Sequence, residues 1–226
     1  MELDGAVESR GEQAARLIRR RIFDGELRPG DRVPQDDIAA DLGVSRIPVR
    51  EALIILQQEG WVTIAMNRGA FIAGFDEVAV RDHYNLFGVV YGFAARRALE
   101  RDPSRALIPR LREIQSQRRG SEDPFEMGRW SVAFNAAVVE ASASSRVKVI
   151  LRSMTALVPG DFFALVAAAA EVERAGTGAV LAALERSDPA AVTDVYARMM
   201  HGLGEKVVAE FSERGLLARP RAAPQD

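Results

Sequence analysis

The spacing of hydrophobic positions divides the chain into an N-terminal part of mixed character and a long helical remainder. Over residues 10–25 the apolar side chains Ala14, Leu17, Ile18 and Ile22 recur at intervals of three and four, the spacing of a helix with one buried face, and Gly25 stops it. Leu27-Arg28-Pro29-Gly30-Asp31 follows as a tight turn, with proline and glycine supplying the dihedrals. A second, shorter helix is predicted over 35–42, with Ile38, Ala39 and Leu42 inward and Gly43 as a left-handed stop. Ser45 is placed to cap a third helix, and Pro48 falls in its first turn, where a missing N–H costs nothing. Val49, Ala52, Leu53 and Leu56 make its buried stripe, and Gly60 ends it. Two β-prone runs, 61–65 and 70–73, are joined by Met66-Asn67-Arg68-Gly69, whose asparagine and glycine suit a hairpin. Helix, helix, short turn, helix, hairpin is the order of a winged helix-turn-helix.

Beyond Gly74 no strand pattern returns. Helical stretches are predicted over 76–100, 104–119, 125–143, 145–157, 161–174, 177–186 and 189–214, as in an antiparallel bundle. The expected fold class is therefore mostly α. A winged helix-turn-helix over 1–75 precedes an all-α antiparallel helical bundle over 76–217, and a disordered tail closes the chain at 218–226.

Composition adds exclusions. A chain of 226 residues can form two modest domains with real cores. The absence of cysteine rules out disulfides and thiolate metal sites. The opening MELDGAVESRGEQ is acidic and polar, unlike a signal peptide, and the longest apolar stretch, 162–170, is too short to span a bilayer, so a cytoplasmic protein without a membrane partner is expected. A net charge of −2 argues against coating nucleic acid by bulk electrostatics, but leaves room for a sequence-specific reader whose positive charge is local.

Local positive charge is found in the third helix. With Val49 and Leu53 inward, Arg46 and Arg50 lie one turn apart on an outward face, at the end that enters the major groove in helix-turn-helix proteins. Arginine there can grip guanine O6 and N7 together. Ser45 and Ile47 flank Arg46 and join the DNA-contacting set, as do Asn67, Arg68 and Gly69 at the hairpin tip. Arg28 and Arg32, beside the Pro-Gly turn, are phosphate-contact candidates. Two isolated arginines would read as solvated charges paired with Glu51 or Asp41; the capped helix, turn and hairpin around them favour DNA.

The phrases PGDRV, DIAADLGVSRIPVREAL, LQQEGWV and NRGAFIA, between Leu17 and Ala73, closely resemble the GntR superfamily of transcription regulators. The resemblance implies a homodimer on a short palindrome, with Arg46, Arg50 and the wing at Arg68-Gly69 touching DNA, and repression relieved by a ligand as the usual mode. The remainder is similar to the FadR subfamily and its all-helical FCD effector domain, through FNAAVVEAS at 134–142 and the run 180–184 leading to Asp188. Many members of that subfamily bind a divalent metal through one aspartate and three histidines. Here the corresponding positions hold Ser131, Asn135, Thr177 and Met199, which cannot replace a metal's hydration shell, so no metal cofactor is expected. His83 and His201, the only histidines, read as hydrogen-bonded or surface residues. An arginine and a glutamate that hold acidic effectors in many relatives correspond to Phe87 and Tyr91. With Tyr84, Trp130, Phe134 and Tyr196, and with Asn135 and Thr177, these form the candidate effector-binding set; core packing is the competing reading of each aromatic. A largely apolar effector, fatty-acyl or aromatic, is the expectation.

An enzyme with an appended helix-turn-helix is the rival class. The sequence holds no GxGxxG, Walker loop, HExxH or GxSxG, and no cysteine or clustered histidine to serve a nucleophile. Glu171 and Glu173 read as solvated charge on a polar helix face. A structural DNA protein without switching would differ only in that no ligand changes its DNA affinity. The expected function is a DNA-binding regulator, a repressor, modulated by a small molecule.

Overall fold

A computed structural model describes residues 9–101, 105–118, 123–154, 157 and 162–218. The chain divides into two compact units, one holding residues up to Glu77 together with the chain from Phe211, the other Val78–Glu210.

The first unit begins with α1 (Arg10–Phe23), entered through a capping box in which Ser9 Oγ accepts from Glu12 N at 3.1 Å and the Glu12 carboxylate accepts from Ser9 N at 3.0 Å. α2 (Gln35–Leu42) ends at Gly43 in the left-handed region, as its sequence predicts, and α3 (Arg46–Gln58) follows. β1 (Val62–Ala65) and β2 (Gly69–Ile72) pair antiparallel to make the wing. Ala14, Ile18, Ile22, Ile38, Val49, Ala52 and Leu56 fill the space between the three helices, and Arg19 of α1 clamps Glu59 at the end of α3 with hydrogen bonds of 2.6–2.8 Å. The Pro-Gly segment is more than a turn. Gly30 N donates to Ile72 O (2.9 Å), Ile72 N to Asp31 O (2.8 Å) and Val33 N to Ala70 O (2.9 Å), so the chain there adds a third edge to the wing.

The end of the chain returns to this unit. Phe211 packs on Phe75 with ring centroids 4.7 Å apart, and Phe75 meets Trp61 edge-on at the same spacing. Arg214 lies over the Phe23 ring at 4.2 Å and donates to Phe23 O at 2.8 Å. Phe75 N donates to Leu216 O (2.9 Å) and Ala218 N to Phe75 O (2.8 Å). The sequence division, which gives everything from 76 to 217 to the bundle, is corrected: Phe211–Leu217 complete the N-terminal core. Ala218, assigned to the disordered tail, is hydrogen-bonded; the rest of that tail lies outside the described residues.

The second unit is built from α4 (Glu77–Arg101), α5 (Leu107–Arg118), α6 (Pro124–Ser142), α7 (Ser145–Ser153), α8 (Phe162–Leu165), α9 (Ala169–Glu185) and α10 (Pro189–Glu213), apart from the end of α10. Helices broken at 175–176 were expected; instead α9 runs unbroken through Gly176. A Cβ there would stand 2.3 Å from Met199 Cγ and Sδ, so the glycine permits a close helix–helix approach rather than marking a stop. Gly88 and Gly92 do the same for α4 against α10, where a Cβ would meet the Cα atoms of Ala197 and Thr193 at 3.0 and 3.2 Å. The fold is mostly helical, a winged helix-turn-helix followed by an all-helical domain. Among the described residues no helix is long and apolar enough to cross a membrane.

Candidate nucleic-acid interface and buried polar cluster

Ser45 precedes α3 in extended conformation and its hydroxyl accepts from Ile47 N at 3.4 Å. This capped end presents Arg46, Ile47 and Arg50 to solvent, Ile47 with 67% of its surface exposed, while Val49, Ala52, Leu53 and Leu56 are buried beneath. Arg46 is ion-paired with Asp36 of α2, and Arg50 has no ion pair among the described residues. Asp41, a possible partner for these arginines, pairs with Arg21 instead. Both Arg46 and Asp36 are largely exposed, and such pairs contribute about 0–1 kcal/mol, so a phosphate or base can displace the aspartate at small cost.

At the wing, Asn67 (φ 59°) and Gly69 (φ 104°) turn the chain, with Met66 and Arg68 exposed beside them. Arg32 is not a free arm. Its guanidinium crosses the Gly69 backbone, where a Cβ would come within 2.9 Å of Nε, and its main chain bridges Phe71, so it braces the wing. Arg28 is exposed, its N–H donating to Asp31 Oδ2 at 2.8 Å within the turn.

In the second unit the aromatic candidates form a partial ladder. His83 meets Phe87 edge-on at 4.8 Å, Phe87 stacks on Tyr91 at 5.9 Å, and Tyr91 stacks on Tyr196 at 5.7 Å. Tyr84 joins it through His83 and Phe87. Phe134 is buried core and Trp130 half-buried, and neither has a ring contact with the ladder. The ladder ends in polar groups: Tyr196 OH donates to Asn135 Oδ1 at 3.1 Å, and Asn135 Nδ2 to Ser131 O at 3.1 Å.

Beside them sits a residue that the sequence reading set aside as solvated. Glu173 is 2% exposed, and its carboxylate accepts from Ser131 Oγ at 2.7 Å. Burial raises its pKa, against the opposing effects of the Ser131 hydrogen bond and the Arg118 charge. Arg118 itself donates to Thr177 Oγ1 at 3.0 Å and towards Arg174 O at 3.4 Å, rather than to Glu173. Burial and the neighbouring Glu173 push Tyr91 up to about 12, and Tyr196 well above the usual tyrosine range, so both stay neutral. The signal for Glu173 was present in the sequence. Ala169, Glu173, Thr177, Val180 and Leu184 follow one buried stripe, visible once the helix is allowed to run through Gly176.

The four positions that the resemblance aligns with the subfamily's metal ligands are engaged within the chain. The Ser131 hydroxyl is committed to Glu173, the Thr177 hydroxyl to Glu173 O at 2.8 Å, Asn135 is engaged on both sides, and Met199 packs on Gly176. His83 and His201 do not come together. His83 is half-buried with Nε2 unpartnered and its pKa lowered by burial, while His201 is exposed with Nδ1 3.3 Å from Asn85 Oδ1.

Residues 10–72 match the model of the bacterial regulatory proteins of the gntR family. An uncharacterized HTH-type transcriptional regulator of Mycobacterium tuberculosis is 28% identical over 212 residues, covering 94% of this chain and 86% of that protein. The gluconate operon transcriptional repressor of Bacillus subtilis is 29% identical over 149 residues, 65% of this chain and 60% of the repressor. Among solved structures, Escherichia coli McbR/YncC superposes with a TM-score of 0.54 at 20% identity, covering 91% of this chain and 98% of that one. The Mycobacterium tuberculosis and Bacillus subtilis relatives are described as transcription regulators.

Proposed function

We propose that the chain, whose residues 10–72 match the gntR family of bacterial regulatory proteins, is a DNA-binding transcription regulator of that family and a ligand-responsive repressor acting as a homodimer. Each copy lays α3 in the major groove of one half of a palindromic operator, and a small effector in the FCD-like helical unit releases it, as in the FadR subfamily. The observation that carries this reading is the capped end of α3, which exposes Arg46, Ile47 and Arg50 together above a fully buried face. Arg46 and Arg50 read guanines at about 1–3 kcal/mol each, and Ile47 offers an apolar contact to thymine methyls. Arg68, Asn67 and the Gly69 backbone touch phosphates or the minor groove, with Arg28 on a flanking phosphate and Arg32 holding the wing in place. Such a protein works in the cytoplasm and, with Ser131, Asn135, Thr177 and Met199 where metal ligands would stand, without a metal.

Support for the dimer comes from α4, where Leu86, Val89 and Phe93 are 56%, 62% and 42% exposed on one face. Next to them a groove of about 620 Å³ runs between Val89, Phe93, Arg97, Val147 and Ile150. An exposed apolar patch of this kind marks an interaction surface, and a second copy related by a two-fold axis would cover it on both chains. Selection from random DNA tests the reading. Enrichment of a two-fold symmetric site bound by two chains is expected, and failure to enrich any sequence would contradict it.

A further inference from the structure

We propose that the polar cluster of the helical unit binds an organic cation, an amine carried on an apolar or aromatic body, with Glu173 as its counter-ion and the Phe87, Tyr91 and Tyr196 rings against that body. The inference rests on the effector reading above for the role of the ligand, and on this chain's own residues for its chemistry.

A carboxylate wholly inside a fold is kept only where something compensates it. Among the described residues the compensation of its charged form is incomplete. Glu173 accepts one hydrogen bond from Ser131, and the nearby guanidinium of Arg118 is directed to Thr177 Oγ1 and Arg174 O. A ligand ammonium supplies the missing direct ion pair. The surroundings select the same sign. The two tyrosine rings offer electron-rich faces, which favour cations over anions, and the hydroxyl of Ser131 adds oxygen lone pairs. An anionic ligand aimed at Arg118 would have to displace the bonds to Thr177 and Arg174. Phe87, Tyr91, Ser131 and Arg118 are half-buried, while Glu173, Asn135 and Tyr196 are buried.

Binding a cation beside Glu173 also moves a proton. Burial favours the protonated acid, so an arriving ammonium draws the carboxyl into its charged form and the proton leaves to solvent. The groups facing it are Arg118 from α5, Tyr91 from α4, Tyr196 from α10 and the Ser131 hydroxyl from α6. The tyrosines stay neutral and Arg118 stays charged over the range that matters, which leaves Glu173 as the group that releases the proton.

The test is calorimetry on the full-length protein with three probes sharing one ring: phenethylamine, 3-phenylpropionate and 2-phenylethanol. Phenethylamine is expected to bind best, by about ten-fold over either other probe, with proton release seen as a buffer-dependent heat and with affinity rising as pH rises. Glu173→Gln, which keeps shape and the Ser131 contact, should remove that preference and the proton release together. A preference for phenylpropionate, an unchanged phenethylamine affinity in Glu173→Gln, or binding of none of the three would overturn the cation site. The two readings separate through operator affinity measured with each probe. Phenethylamine bound through Glu173 without effect on operator affinity supports the cation site and contradicts the effector role. Phenylpropionate that binds best and weakens operator binding supports the effector role and overturns the cation site.

Discussion

Two acidic residues, one buried and one exposed, each make a prediction. Glu173 is fully buried with its folded pKa above the ordinary value of 4.5. A raised acid gives its full stability below the unfolded pKa and loses it as pH rises through the folded one. Glu173→Gln should therefore melt higher than wild type at pH 8, and the difference should shrink towards pH 4.5. Thermal unfolding at the two pH values checks this; an equal shift at both would mean that the carboxyl is not strained. Asp36 is exposed and holds Arg46 in the free protein. Removing it as Asp36→Asn should leave stability within about 0.5 kcal/mol. DNA affinity should rise several-fold at low salt, with the gain fading as salt is added. A loss of affinity would show that Asp36 positions Arg46 rather than competing for it.

Among the elements, α9 shows what a sequence pattern does and does not disclose. The first three helices and the hairpin were legible because periodicity, caps and glycine stops agree there: Ser45, Gly43 and the Asn67-Gly69 turn each do locally what their residue type favours. The outward arginines of α3 followed from that agreement. Gly176 was misread as a break because a glycine that stops a helix and one that admits a neighbouring side chain look alike without the partner, Met199. That misreading hid Glu173 as a buried residue. The two glycines of α9 now give opposite predictions. Gly178→Ala, with open space around it, should stabilise by roughly 0.5–1 kcal/mol through helix propensity. Gly176→Ala forces Met199 aside and should destabilise by about 1 kcal/mol net, overpacking outweighing that gain. Denaturant melts of both variants check the signs, and stabilisation by Gly176→Ala would remove the close-approach argument.

At the scale of the whole molecule, the DNA-binding unit is discontinuous in sequence. Phe211 and Leu216, from the far end of the chain, are buried in it with Phe23, Trp61 and Phe75. No local pattern could disclose this, because the pairing of Phe75 with Leu216 and Leu217 spans most of the chain. A fragment of residues 1–77 should consequently unfold at lower denaturant than the same unit in the full chain, since losing a buried phenylalanine side chain alone costs about 3–5 kcal/mol. Equal stability would show that the C-terminal segment is dispensable to it. A gel-shift titration of wild type and Arg50→Ala, at fixed salt, against DNA from upstream of the protein's own coding region shows whether α3 reads a specific DNA sequence. The expected result is specific binding by wild type and a loss of about ten-fold or more in a folded Arg50→Ala, matching one bidentate base contact of about 1–3 kcal/mol. Specific binding that Arg50→Ala retains in full would contradict the assignment of α3 as the reading element.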